Sequence, residues 1–318
     1  MKLQLKFGLI LSTISLLTFI SYAKAETKVV TSIKPIHSLI SYVMDGVGTP
    51  GLLVDGSSSP HTFQLKPSHA TMLQEADIVF WIGEDLESFL ETPLESIAKD
   101  AKQVTLMESE DIEMLKFREK NVFDEHDDHG DEHDEHGDEH DEHAHHDGHN
   151  HGEFDIHFWL DPEIAKTIVQ IAAKEMSEID PANASKYEAN AAKALNELDQ
   201  LINDTRGKIN KDATYVVFHD AYQYFEQRFG IEVIGALTVN PEVLPGAKQL
   251  AEIREVIEHE GVNCLFSEPQ FNPSIAETIA SDTGVKAAVL DPLGAELEPG
   301  KDLYFDLISD MASSFESC

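Results

Sequence analysis

The sequence predicts an α/β protein of two parallel-sheet lobes joined by a long backbone helix. Three observations carry this. Short β-branched runs alternate with helical stretches, each half of the chain offers four such runs, and a long polar helix with one apolar stripe lies between the halves. Parallel neighbours cannot be joined by a tight hairpin, so strand-helix alternation is the pattern of sheets built through helical crossovers.

In the first half the expected strands are 28–33, 51–54, 78–82 and 103–106, with helices at 35–45, 67–75 and 85–98. A further helix, 162–178, precedes the long one, which Asp180 and Pro181 open as N-cap and first-turn residue. Its Tyr187, Ala191, Leu195, Leu198, Leu201 and Ile202 recur at spacings of three and four and form one stripe. About 29 residues at roughly 1.5 Å each span about 44 Å, enough for a spine along two stacked lobes. In the second half the strands are 213–218, 231–234, 263–266 and 286–290, with helices at 221–229, 246–260, 273–283 and 302–315. The expected division is a signal peptide at 1–25, an N-terminal lobe at 26–179 carrying a flexible loop at 121–153, a linking helix at 180–211 and a C-terminal lobe at 212–318.

The first 25 residues hold Lys2 and Lys6, an apolar run from Phe7 to Ile20, and small residues at Ala23 and Ala25. That is a cleavable secretory signal, too short for a comfortable membrane span and followed by no second candidate. The mature chain is expected to be exported without inserting in the membrane. In an oxidising compartment its two cysteines, Cys264 and Cys318, are expected to pair, with a shared metal as the weaker alternative.

With 23 basic and 59 acidic residues the formal charge is −36. Such a surface repels nucleic acid and attracts cations. The acidic excess is densest in the loop, where ten of the sixteen histidines also lie: His126, His129, His133, His136, His140, His143, His145, His146, His149 and His151. Neutral imidazoles set among carboxylates collect divalent metals. With little apolar to bury, the segment reads as a mobile loop of weak auxiliary sites. Two matches to the inverted zinc-protease pattern, His129 to His133 and His136 to His140, place glycine just after the first ligand in a polar repeat; that argues against the rigid helix such chemistry needs.

Ligands of open α/β sheets bind beyond the carboxyl ends of the strands. His61 follows the strand at 51–54, His219 ends the run at 213–218, Asp291 follows 286–290, and His157 lies in DIHFWLDP just after the acidic loop. Three histidines and a carboxylate on separate segments make a coherent four-ligand metal site. Glu268 is a candidate outer carboxylate or a structural hydrogen-bonding residue, while His37, His69 and His259 read as surface or packing histidines.

GSSSPHTFQLKPSH, EADIVFWIGEDLESFL, DIHFWLDPEIA, VFHDAYQYFEQRFGI, TVNPEVLPGAKQL, CLFSEPQFNP and LDPLG, in this order, resemble the periplasmic zinc-binding proteins of ABC importers, the ZnuA family. The resemblance covers essentially the whole mature chain. It implies a metal in the cleft between two lobes, with His61, His157 and His219 as zinc ligands and Asp291 at the fourth position. It further implies a monomeric periplasmic receptor that passes Zn²⁺ to a membrane permease. Some zinc members carry glutamate before the first ligand; here that residue is Pro60, which leaves Asp291 or water. The related manganese receptors tend to have a carboxylate where this chain has His219, and a nitrogen-rich set suits zinc better. No G-x-x-x-x-G-K-[ST] loop is present, so ATP hydrolysis is left to partners. Two readings from other classes stand beside this one: a secreted zinc hydrolase, and an extracellular metal-storage or adhesion protein.

Overall fold

The computed structural model describes residues 27–118, 122, 152–241, 243 and 245–318. The expected signal peptide and the ten loop histidines lie outside them. Strands β1 (Val29–Ile33), β2 (Gly51–Val54), β3 (Ile78–Trp81) and β4 (Lys102–Thr105) form one sheet in the order β2-β1-β3-β4. Strands β5 (Thr214–His219), β6 (Glu232–Thr238), β7 (Cys264–Ser267) and β8 (Lys286–Val289) form a second in the order β6-β5-β7-β8. Every pairing is parallel, and the second order repeats the first shifted by four. The two lobes therefore share one topology. Interior strands β1 and β3 are buried at every residue, which is why they read as continuous runs and not as alternating ones.

Helices α1 (Lys34–Val43), α2 (Pro67–Gln74) and α3 (Glu91–Ser96) belong to the first lobe, and α4 (Pro162–Ile179) packs along the spine helix α5 (Ala184–Lys208). Helices α6 (Gln223–Phe229), α7 (Ala247–His259), α8 (Ser274–Thr283) and α9 (Leu303–Ser317) follow. Both α1 and α9 pack on α5 and on each other, and one apolar cluster runs from Val29 to Phe315. The lobes thus share a core.

The spine is shorter than expected. Its N-cap is Asn183; Asp180 instead accepts from Asn183 Nδ2 at 2.5 Å and from the Tyr187 hydroxyl at 3.2 Å, so 181–183 form a turn. The helix has 25 residues, about 38 Å. Its stripe is buried at Tyr187, Ala191, Leu198, Leu201 and Ile202. Strand β6 continues to Thr238, past the expected 234, because its register against β5 extends to the pair His219–Thr238.

The helix expected at 85–98 begins only at Glu91, after a 3-10 turn at Ser88–Leu90. Glu87 bends back so that one carboxyl oxygen accepts the N–H groups of Ile82 and Gly83 at 2.9 and 3.0 Å, and Gly83 takes φ 152°, a conformation that favours glycine. Burial raises the Glu87 carboxyl to about 7 from 4.5, partly opposed by its hydrogen bonds. The folded form holds the proton more tightly than the unfolded chain, so this group's stabilisation is complete below about pH 4.5 and is lost as pH rises to about 7. The difference is about 3 kcal/mol at roughly 1.4 kcal/mol per pH unit. Glu87→Gln should flatten the decline in melting temperature of the metal-free protein across that window; an unchanged slope would contradict the assignment.

Cys264 and Cys318 form a disulfide across 54 residues, tying interior strand β7 to the end of α9. Closing a loop of that length is worth about 4 kcal/mol in the chain-entropy model. The loop after β8 crosses to the first lobe: buried Lys34 donates to the carbonyls of Gly294, Ala295 and Leu297 at 2.8, 3.0 and 2.8 Å, and Trp159 Nε1 donates to Pro292 O at 2.9 Å. Among the described residues no helix is long and apolar enough to cross a membrane.

Candidate metal centre

Three side chains from distant parts of the sequence meet where the two sheets present their carboxyl ends. His61 sits in a 3-10 turn, Pro60–Thr62, whose N-cap Ser59 accepts the His61 N–H at 3.3 Å. His157 lies just before the 3-10 turn Phe158–Leu160, and His219 ends interior strand β5. One ring nitrogen from each lies within 4.8 Å of the other two. His157 and His219 are buried, whereas His61 is half-buried and forms the solvent side of the group.

Two carboxylates fix which nitrogens face inward. His157 Nδ1 bonds Asp155 Oδ1 at 2.8 Å, and the same oxygen accepts the His157 N–H at 2.9 Å. His219 Nδ1 bonds Glu268 Oε1 at 2.7 Å. A carboxylate only accepts, so each Nδ1 carries the hydrogen, and the tautomer this fixes leaves each Nε2 as the metal-competent nitrogen. These two Nε2 atoms are 3.4 Å apart. Bare lone pairs at that distance repel unless a cation or proton lies between them. Two nitrogens bound to tetrahedral zinc at about 2.0–2.1 Å lie about 3.3–3.4 Å apart, so the pair is spaced for a shared Zn²⁺. Outer carboxylates orient ligand rings and raise their basicity, an effect worth about 10–100-fold in metal affinity. Glu268→Gln should therefore weaken zinc binding by about that factor in a chelator-competition titration, with the fold retained; an unchanged affinity would contradict the role.

Asp291 is not among the side chains whose ligand atoms gather within 4.8 Å of one another. Its Oδ1 accepts from Leu293 N, Gly294 N and Gln270 Nε2 at 3.0, 3.0 and 2.8 Å, and its Oδ2 accepts from Ala295 N at 2.6 Å. The carboxylate is occupied in closing the loop that seats on Lys34. His37 is a buried packing histidine with Nε2 3.2 Å from Pro50 O; His69 is half-buried, its Nδ1 accepting the Lys66 N–H, and His259 is exposed.

The histidines enclose a cavity of about 10 Å³, lined also by Trp159, Phe271, Pro60, Pro292 and Gln270. That is about the room one water needs. Beneath it lies an ion network the sequence did not mark. Arg118 donates from two edges of its planar guanidinium, Nε and Nη2 to Asp220 and Nη1 and Nη2 to Glu226. Burial pushes both carboxyls up, Glu226 to about 7, against the opposing pull of Arg118. Nearby, Phe117 N donates to Glu153 O at 3.1 Å and Asp155 N to Leu115 O at 2.8 Å, so segments flanking the His-rich stretch run side by side close to His157.

The sequence matches the family described as ZnuA, zinc-uptake complex component A, periplasmic, over residues 29–318. The high-affinity zinc uptake system protein ZnuA of Brucella abortus (strain 2308) is 45% identical over 312 residues, covering 94% of this chain and 93% of that protein. The protein of the same name from Yersinia pestis is 35% identical over 302 residues, covering 92% of each. Among solved structures, a crystal structure of ZnuA aligns with a TM-score of 0.73 at 23% identity over 92% of this chain and 98% of that one. The laminin-binding protein of Streptococcus agalactiae, described as adhesin and metal transporter, aligns at 0.70 with 22% identity over 91% and 99%. At these identities the solved structures establish the shared fold alone.

Proposed function

This chain belongs to the ZnuA family, and on that premise we propose that it is a periplasmic high-affinity zinc receptor that delivers Zn²⁺ to the membrane permease of an ABC importer. His61, His157 and His219 hold the ion. The observation that carries the reading is the pair of inward Nε2 atoms at 3.4 Å, each backed by a carboxylate on its outer nitrogen. Zinc is cargo here, not a resident cofactor. Asp291 is left out of the ligand set because its oxygens already serve four N–H groups. A cavity of about 10 Å³ holds one water but no peptide or ester, which favours a receptor over a hydrolase.

The protein acts as an exported monomer after removal of residues 1–25, and its His-rich segment serves as an auxiliary collector. With the ends of that segment flanked by paired chain close to His157, captured ions are held near the site, where a short tether supplies effective concentrations of order mM. Chelator-competition titration of the full chain and of a variant lacking 124–151 tests this division. One tight zinc should remain in the variant while weaker equivalents disappear. Loss of the tight equivalent in a folded deletion protein would contradict it.

A further inference from the structure

Gln270 lines the histidine cavity, and its side-chain oxygen, Oε1, is buried with no hydrogen-bond partner. The other end of the amide is committed: Nε2 donates to Asp291 Oδ1 at 2.8 Å. Since a carboxylate accepts and does not donate, Asp291 fixes which end of the amide is nitrogen, so the buried atom left without a partner is the carbonyl-type oxygen of a residue that lines the cavity. Three imidazoles complete only three corners of a zinc tetrahedron, and the cavity has room for about one water.

We propose that Gln270 selects the occupant of the fourth zinc position: its Oε1 accepts a hydrogen bond from a zinc-bound water and turns away anions. This rests on the three-histidine reading above. A water has hydrogens to give to Oε1, while a halide, azide or carboxylate would set a second electron-rich atom against it. Asp291 serves this arrangement from outside the ligand set, its oxygens holding the amide and the loop N–H groups. Zinc then keeps one exchangeable corner that an incoming ligand can take without first displacing a histidine.

The test uses the full chain loaded with one equivalent of cobalt(II), whose visible bands report tetrahedral coordination, titrated with azide as a small anionic probe. The unaltered protein should show strong tetrahedral bands that azide barely shifts. Gln270→Leu and Gln270→Ala, each checked for an intact melting transition, should bind azide about 10-fold or more tightly, the scale set by removing an unpaired buried acceptor. Equal azide affinity in the unaltered protein and a folded variant would overturn the proposal. So would a shift of the unaltered protein's bands at low azide, a result that needs no variant. If tetrahedral bands fail to form in the unaltered protein, the three-histidine reading itself falls, and this inference with it.

Discussion

Changing His157 or His219 to alanine should weaken zinc binding by more than about 1,000-fold while the protein still folds. Outer carboxylates alone are worth about 10–100-fold, and removing a ligand takes away both the donor atom and the purpose of its carboxylate. Each variant leaves a buried carboxylate, Asp155 or Glu268, without its ring partner, so a modest loss of stability is expected alongside. His61→Ala should cost less stability, because that side chain is half-buried on the solvent side of the group. Competition against a strong chelator reads the affinity, and metal-free thermal melts separate binding from folding. An affinity within about tenfold of the parent for either buried histidine would remove that residue from the site.

Arg118→Met should destabilise the protein by about 3–5 kcal/mol, the range for removing one partner of a buried ion network. Asp220 and Glu226 are 2% and 8% exposed, and Arg118 reaches them from a segment more than a hundred residues away. Without the guanidinium the two carboxyls stay buried against each other with no counter-charge. Adding Glu226→Gln to Arg118→Met should restore part of the loss, since one of the two uncompensated acids is then neutral. Denaturant unfolding of the metal-free protein measures both. A single variant within about 1 kcal/mol of the parent, or a double variant less stable than the single, would contradict this account of the network.

Much of the architecture was legible because its causes are local. Interior parallel strands read as apolar runs, and the buried stripe of the spine appears at its expected spacing from Tyr187 to Ile202. Where expectation and structure part, a distant or side-chain contact decides. Glu87 folding back onto Ile82 and Gly83 delays α3, and the turn tied by Asp180 moves the spine's start to Ala184.

The site follows the same division. His61, His157 and His219 were readable because each stands at a strand exit or within a family motif, and the structure brings those three together. Asp291 carried the same positional signal, yet aspartate followed by Pro292, Leu293 and Gly294 is also a side chain placed to bind the N–H groups just ahead of it, and that use is the one observed. Asp155, two residues before His157, has a spacing at which a side chain can bond both the backbone N–H and the ring of His157. Gln270 and Arg118 have no such spacing. Their partners lie 21 and more than a hundred residues away, so only the assembled fold identifies them.

The most direct test of the three-histidine centre is a zinc-edge anomalous diffraction map from crystals of the zinc-loaded protein. A peak about 2.0–2.1 Å from one nitrogen each of His61, His157 and His219 is the predicted result, with a water oxygen as fourth neighbour. Absence of a peak among those three rings, or a peak that coordinates an Asp291 oxygen in place of water, would contradict the site described above.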